Sequence, residues 1–304
     1  MKKEILYDVI IIGAGPIGLT CGIKAKELKL NYLILDKGCI VNSIFNFPTN
    51  MTFFSTSEKI EIGNVPFVAH DVKPTRREAL DYYSRVAGAY KLNIKTDEKV
   101  LGIKGKFPKF TIDSDKSIYK TKNIIIATGF YDNPNLLNIP GENLEKVKHY
   151  FDEPHPYSYK NVAVLGGGNS SVDVALECFR KNAKVTIIVR EPELKKSIKY
   201  WVRPKKSIKY WVRPDIDNRI AEGSIKSYFN AQVEEIYPDS LLINQNGKKF
   251  KIKNDYVFAM TGYHPDFELL RQTGIKISQN KPKFNKRTHE TNIKGIYLAG
   301  VICG

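Results

Sequence analysis

Short runs of consecutive apolar residues punctuate this chain, separated by longer stretches of mixed, helix-periodic sequence. Val9-Ile10-Ile11-Ile12 is followed by a glycine-rich turn, a helical stretch and a second apolar run, Tyr32-Leu33-Ile34-Leu35. Val162-Ala163-Val164-Leu165 opens the same succession, which closes with Val185-Thr186-Ile187-Ile188-Val189. Runs this short, without the alternation of a half-exposed strand, predict strands buried on both faces, as in a parallel sheet flanked by helices. Arg76 to Leu92 carries Ala79-Leu80, Tyr83 and Val86-Ala87 at helical spacing and predicts a helix. Residues 99–122 alternate in short pieces around Pro108, which predicts an antiparallel meander, and Ile124-Ile125-Ile126 predicts a further buried strand ending at Ala127-Thr128-Gly129. Residues 39–75 show little periodicity and predict an elaborated loop region. Pro134, Pro140, Pro154 and Pro156 mark residues 131–160 as a connector. Asp255 through Met260 predicts a strand ending at Thr261-Gly262, and residues 293–304 one more strand running into a glycine turn.

The two turns carry the chemistry. The first reads Gly13-Ala14-Gly15-Pro16-Ile17-Gly18, and its second strand ends at Asp36; the other reads Gly166-Gly167-Gly168-Asn169-Ser170-Ser171, and its second strand ends at Arg190. Glycines between a strand and a helix allow a tight turn and close approach of backbone to a pyrophosphate, which the helix N-terminus then faces. An acid after the second strand accepts hydrogen bonds from a ribose 2'-hydroxyl, whereas an arginine there suits a 2'-phosphate. The pattern therefore predicts two dinucleotides, one of them NADPH. Ser171 stands where the pattern usually has Gly or Ala, and its small size preserves close helix–strand packing. The order of elements predicts two nested doubly wound α/β domains: residues 1–133 plus 261–304 as a discontinuous FAD-binding domain, and residues 134–260 as the NADPH-binding domain.

Composition adds bounds rather than chemistry. The 304 residues suffice for two cores, and 42% apolar with 26% charged content is ordinary for a globular protein. No apolar run reaches membrane-spanning length. Met1-Lys2-Lys3 before an apolar stretch imitates a signal peptide, but Asp8 lies inside that stretch and a glycine turn follows it, so a buried strand and a cytoplasmic location are expected. The net charge of +16 raises nucleic-acid binding. Lysines spread along the chain with no nucleic-acid motif speak against it, and without a spanning apolar run no membrane partner is expected. Part of the excess comes from a perfect repeat: KKSIKYWVRP at 195–204 recurs at 205–214. Identity this complete indicates a recent duplication or an assembly error rather than a solenoid repeat. One copy is expected to pack near the Arg190 loop and the other to bulge out. Cys21, Cys39, Cys178 and Cys303 form no C-x-x-C pair, and with five scattered histidines no metal site is expected.

With the turns, the two Thr-Gly strand ends and the close at Tyr297-Leu298-Ala299-Gly300, the chain resembles the two-dinucleotide-binding flavoproteins, thioredoxin reductase in domain size and order. It is identified as similar to the YpdA family of bacillithiol-disulfide reductases on Phe47 to Ser57, Lys73-Pro74-Thr75-Arg76, His149-Tyr150-Phe151 with His155-Pro156-Tyr157, and Asp255 through Asp266. The resemblance implies a thioredoxin-reductase-like fold, FAD in the first site, NADPH in the second, a homodimer, and cytosolic reduction of a small disulfide. The FAD residues so implied are Gly13, Gly15, Pro16, Gly18, Asp36, Lys37, Thr128, Gly129 and Gly300. The NADPH residues are Gly166, Gly168, Asn169, Ser170, Ser171, Arg190 and Gly262, with Lys195 and Lys196 as possible helpers. Three departures stand out. Ile17 occupies a position where the family often has cysteine, no dithiol precedes the second turn, and the chain reads as truncated at Gly304. No residue is identified as a catalytic acid, base or nucleophile. Thr128-Gly129 and Thr261-Gly262 mark either crossings near a cofactor or simple strand ends, and Phe53-Phe54 either line a flavin or fill core. Cys21 is expected in the core, Cys39 near the adenosine end and Cys303 near the flavin. Two other classes stay open: a different flavin oxidoreductase, of monooxygenase or ferredoxin/quinone reductase type, and a non-catalytic dinucleotide-binding protein.

Overall fold

A computed structural model describes residues 5–196, 208–279 and 281–303. The chain divides into two compact units, residues 1–133 with 263–304, and residues 134–262.

Unit 1 begins with β1 (Leu6–Ile12), α1 (Pro16–Glu27) and β2 (Tyr32–Leu35). The apolar runs are unbroken because both faces are covered. Val9, Ile11, Tyr32 and Ile34 enter one core cluster, with residues of α1. Ile10, Ile12, Leu33 and Leu35 enter another on the opposite face. Proline suits the first position of α1, where its missing N–H would have no intrahelical partner. The region 39–75 is mostly irregular, as expected, with one turn of α-helix, α2 (Asn42–Phe45), and one of 3-10 helix, Ser57–Lys59. It is pinned to α3 (Arg76–Ala89) by Phe67, which stacks on Tyr82 at 4.2 Å between centroids, and by the Tyr82 hydroxyl, which donates to the Val65 carbonyl at 2.7 Å. A capping box of Thr75 and Glu78 starts α3.

β3 (Ile94–Lys95), β4 (Val100–Lys106), β5 (Lys109–Ser114) and β6 (Ile118–Ile126) follow. The meander is present, but Ile124–Ile126 is not a separate strand. β6 runs antiparallel to β5 in its first half and stays parallel to β1 from Lys120 to Ile126. The polar interruption survives because Asp8, in the first half of β1, receives it. Lys122 pairs with the Asp8 carboxylate at 2.8 Å, and Asn123 Nδ2 donates to the Asp8 carbonyl at 3.0 Å. The sheet order is β3-β2-β1-β6-β5-β4.

Unit 2 carries β7 (Val147–Lys148), β8 (Asn161–Leu165), α4 (Asn169–Arg180), β9 (Lys184–Ile188), α5 (Arg213–Ala221) and β10 (Lys226–Tyr228). A three-stranded antiparallel sheet follows: β11 (Ala231–Ile236), β12 (Ser240–Gln245) and β13 (Lys248–Lys253). Then comes β14 (Tyr256–Ala259). The parallel sheet has the order β10-β9-β8-β14-β7. Val162, Val164, Val185 and Ile187 face the cluster that includes α4, while Ala163, Leu165 and Ile188 face residues of the antiparallel sheet. The proline-rich stretch is more than a connector. Leu137, Ile139 and Leu144 pack on this second cluster, and Val147–Lys148 joins the sheet. Apolar side chains placed between its prolines have core to bury against, which a free linker lacks.

The chain then returns to unit 1 through α6 (Phe267–Gln272) and β15 (Ile296–Leu298), which pairs in parallel with Ile124–Ile126. A turn of 3-10 helix, Gly300–Cys303, follows. Of the repeat, residues 197–207 lie outside the described residues, and with them the expected bulge. From the second copy, Ile208 is fully buried in the unit 2 core. No described helix is long and apolar enough to cross a membrane.

Candidate functional site

In unit 1, Gly13 has a positive φ of +109°, and a Cβ there would meet the Ala127 carbonyl oxygen at 2.5 Å. A Cβ on Gly18 would meet the Gly13 carbonyl oxygen at 1.8 Å. These two glycines are thus demanded by the protein's own packing. Gly15 is different: a Cβ on it would have no neighbour within 4 Å, and it sits at the N-cap of α1 with no side chain capping the helix. Among the described residues the amides of Ile17 and Gly18 have no recorded acceptor, as the first turn of a helix requires of its donors. Open space before uncapped helix donors fits a pyrophosphate.

Asp36 does more than await a ribose. Its Oδ2 accepts the Ala14 N–H at 2.6 Å and its Oδ1 the Gly38 N–H at 2.9 Å, so the carboxylate ties the end of β2 to the glycine turn. Burial pushes its carboxyl above the ordinary range, and the two amide hydrogen bonds pull the other way. Lys37 pairs with Asp132 at 3.1 Å. Thr128, Gly129 and Gly300 gather at the same turn. Gly13 abuts Ala127 and the Thr128 backbone, a Cβ on Gly129 (φ +75°) would lie 4.0 Å from the Val301 side chain, and a Cβ on Gly300 would lie 3.0 Å from the Ile17 side chain. The phenylalanine pair divides: Phe53 packs on the core and against Phe47, whereas Phe54 is exposed under the Lys73 ammonium. Cys303 Sγ lies 3.9 Å from His289 Nδ1, and burial raises its thiol pKa. Cys21 is half-buried and likewise raised by burial; Cys39 hydrogen-bonds Asn42; Cys178 is buried, its thiol pushed up to about 12.

In unit 2, Gly166 has φ +124°, and a Cβ there would strike the Met260 carbonyl oxygen at 2.6 Å. A Cβ on Gly167 would strike the Val189 side chain. Gly168 is the uncapped N-cap of α4, and the Lys195 Nζ lies 3.8 Å from where its Cβ would be. A cation over an uncapped helix N-terminus is suited to a phosphate. Ser170 is exposed. Asn169 Oδ1 already accepts the Lys209 N–H at 3.1 Å, which leaves its amide nitrogen to donate. Ser171 is buried behind the turn, and its Oγ has no hydrogen-bond partner among the described residues. Arg190 is exposed, two residues beyond β9. Gly262 (φ +97°) ends a stretch braced by Asn135, whose carbonyl accepts from Thr261 Oγ1 at 2.6 Å and whose N–H donates to the Gly262 carbonyl at 2.9 Å.

Sequence reasoning missed how the repeat serves this turn. Lys195 N–H donates to the Gly167 carbonyl at 2.9 Å, and the Lys195 carbonyl accepts from Arg213 Nη1 at 2.7 Å. Lys209, almost fully buried, pairs with Asp173 at 2.8 Å. The first copy thus contributes Lys195, and the second Ile208, Lys209 and Arg213. The cations themselves were the available signal, but their partners are distant in sequence. Among the described residues no three His, Cys, Asp or Glu side chains are placed to hold a metal ion.

Two strand–turn–helix–strand units, each with an open helix N-terminus behind a glycine turn, define a nucleotide-dependent oxidoreductase architecture with two dinucleotide sites. Residues 10–300 match the profile of the family described as pyridine nucleotide-disulphide oxidoreductase, and the chain belongs to it. It is 44% identical over 297 residues to bacilliredoxin reductase Bdr of Bacillus subtilis, covering 96% of this chain and 89% of that protein. Solved structures of bacillithiol disulfide reductase Bdr (YpdA) from Staphylococcus aureus and Bacillus cereus are each 42% identical. They superpose with TM-scores of 0.92 and 0.93, covering 99% of this chain and 91% and 92% of theirs. The fold is thioredoxin-reductase-like, the protein is a flavoprotein oxidoreductase, and its cofactors are FAD and NADPH.

Proposed function

We propose that this protein uses NADPH to reduce a low-molecular-weight disulfide, bacillithiol disulfide, as a cytoplasmic homodimer. The observation that carries the substrate is the 44% identity, over almost the whole chain, to a relative named bacilliredoxin reductase. Two solved relatives named for bacillithiol disulfide support it. Bound FAD and NADPH supply a two-electron path from nicotinamide to disulfide.

The residues of this chain hold and distinguish the two cofactors. Gly13, Gly15, Pro16 and Gly18 form the FAD pyrophosphate cradle, with Thr128, Gly129 and Gly300 around it, Asp36 on the adenosine ribose and Lys37 nearby. Gly166, Gly168, Asn169, Ser170 and Ser171 form the NADPH cradle, bordered by Gly262. Lys195 adds positive charge over that turn, and Arg190 pairs with the 2'-phosphate through its planar fork. All four cysteines are free thiols, no two of them bonded.

The test is the visible spectrum of the purified protein before and after NADPH, followed by NADPH oxidation with bacillithiol disulfide, other small disulfides and bacilliredoxin as acceptors. Stimulation by bacillithiol disulfide is expected. Peroxide formation indifferent to every disulfide would replace this reading with a monooxygenase or other flavin oxidoreductase. A colourless protein that cannot retain added FAD would replace it with a non-catalytic one.

A further inference from the structure

One residue of the repeat grips two positions of α4 at once. Asn169, the first residue of α4, and Asp173 lie one turn apart on the same face of that helix. The Lys209 N–H donates to Asn169 Oδ1 at 3.1 Å, and Lys209 Nζ pairs with the Asp173 carboxylate at 2.8 Å. The Lys209 side chain is 6% exposed, its ammonium lies 6.0 Å from the centre of the Trp211 ring, and its neighbour Ile208 is fully buried. A lysine so covered would be costly without its carboxylate, so the pair fixes where the Lys209 backbone stands. An asparagine whose oxygen is held by a backbone N–H presents its NH2 group on the other side. Asn169 follows Gly168, the uncapped start of the helix, so a side-chain donor joins the backbone amides there.

The two copies share the work so that together they amount to one. Lys195, from the start of the first copy, is held by the Gly167 carbonyl at 2.9 Å and by Arg213 Nη1 at 2.7 Å. Arg213 belongs to the second copy, as do Ile208 and Lys209. Lys195-Lys196 joined directly to residues 207–214 reads KKSIKYWVRP, one complete copy that holds every repeat residue in these contacts. The chain can reach across such a join. Lys195 and Lys209 would be separated by four residue steps, about 14 Å when extended, whereas Gly167 and Asn169, which anchor them, have Cα atoms at most about 7 Å apart.

We propose, resting on the reading of this turn as the NADPH site, that Lys209 is a positioning residue for the dinucleotide. Its buried pair with Asp173 orients the Asn169 amide toward the phosphates, and one copy's worth of the repeat is enough to do so. Residues 197–206 are then dispensable for nucleotide binding, and Lys199, the same lysine of the first copy, does not substitute for Lys209.

The test is calorimetric titration of the FAD-loaded protein with NADP+, alongside thermal unfolding. Asn169→Ala should weaken NADP+ about tenfold, the loss of one charge-assisted hydrogen bond. Lys209→Met should weaken it about threefold or more, and Lys209→Met/Asn169→Ala no further than Asn169→Ala alone, since both act through one amide. Lys199→Met and deletion of residues 197–206 should each stay within about twofold of the parent. A purely structural pair would lower the melting temperature of Lys209→Met and leave NADP+ affinity alone, and that result would overturn the proposal. So would additive losses in the double variant, a loss in Lys199→Met equal to that in Lys209→Met, or a deletion that costs binding or folding. Should Lys209→Met not fold, Asp173→Asn takes its place, with the same loss expected and unchanged affinity overturning the proposal. A parent that binds no NADP+ would overturn the NADPH reading itself, whereas a parent that binds it as tightly as Lys209→Met does would overturn only the role of Lys209.

Discussion

The Asp36 carboxylate accepts the Ala14 amide at 2.6 Å, joining the end of the second strand to the turn after the first. The residue that the pattern marks for a ribose therefore also shapes the cradle. Charge-assisted hydrogen bonds to backbone amides contribute about 1.5–3 kcal/mol. Asp36→Ala should lower the unfolding free energy by that order and release FAD, read as lost visible absorbance after gel filtration. Asp36→Asn retains an acceptor and should keep most of the stability.

Gly15 and Gly18 should separate ligand binding from folding. A methyl on Gly18 would overlap the Gly13 carbonyl, so Gly18→Ala should destabilise the fold and abolish flavin retention. A methyl on Gly15 meets no protein atom within 4 Å. Gly15→Ala should leave the flavin-free protein within about 0.5 kcal/mol of the parent, yet weaken FAD by tenfold or more. Undiminished FAD affinity in Gly15→Ala would remove the pyrophosphate from that space.

Arg190→Ala should raise the KM for NADPH by about ten- to a hundredfold, the range of one or two charge-assisted hydrogen bonds, and leave that for NADH nearly unchanged. Equal loss for both nucleotides would free Arg190 of its assignment to the 2'-phosphate.

Among the described residues, the buried Ser171 hydroxyl has no hydrogen-bond partner. Ser171→Ala should therefore stabilise the protein by about 1 kcal/mol in urea unfolding, with little change in NADPH affinity. A loss of stability would reveal a partner for that oxygen.

Asp255 predicts a pH effect. Hydrogen bonding to the Asn161 backbone N–H, and to its side chain, holds the carboxyl below its ordinary value of 3.8. The unfolded chain lacks these bonds, so the folded state favours the carboxylate. This contribution is complete above the ordinary value and disappears as pH falls through the lower folded-state pKa. Asp255→Asn should flatten the loss of thermal stability below about pH 4 relative to the parent. An unchanged acid limb would show that Asp255 contributes nothing to it.

Much of this protein was legible locally. Val9–Ile12 and Val162–Leu165 declared their strands because four apolar residues in succession, ended by a glycine turn, suit a strand covered on both faces. Gly13, Gly18 and Gly166 declared their turns because a side chain there would strike backbone. The family was readable from strings such as Phe47 to Ser57. The tertiary structure alone decided what depends on residues remote in sequence. Asp8 carries Lys122 and Asn123 through the middle of β6, so two expected strands are one. Leu137 and Leu144 bind a proline-rich stretch to a core. Arg213, from one copy of the repeat, holds the carbonyl of Lys195 from the other. The physical reason is range: backbone conformation and strand burial are set by neighbours in sequence, whereas the partner of a charge or a buried amide is chosen only when the chain has closed around it.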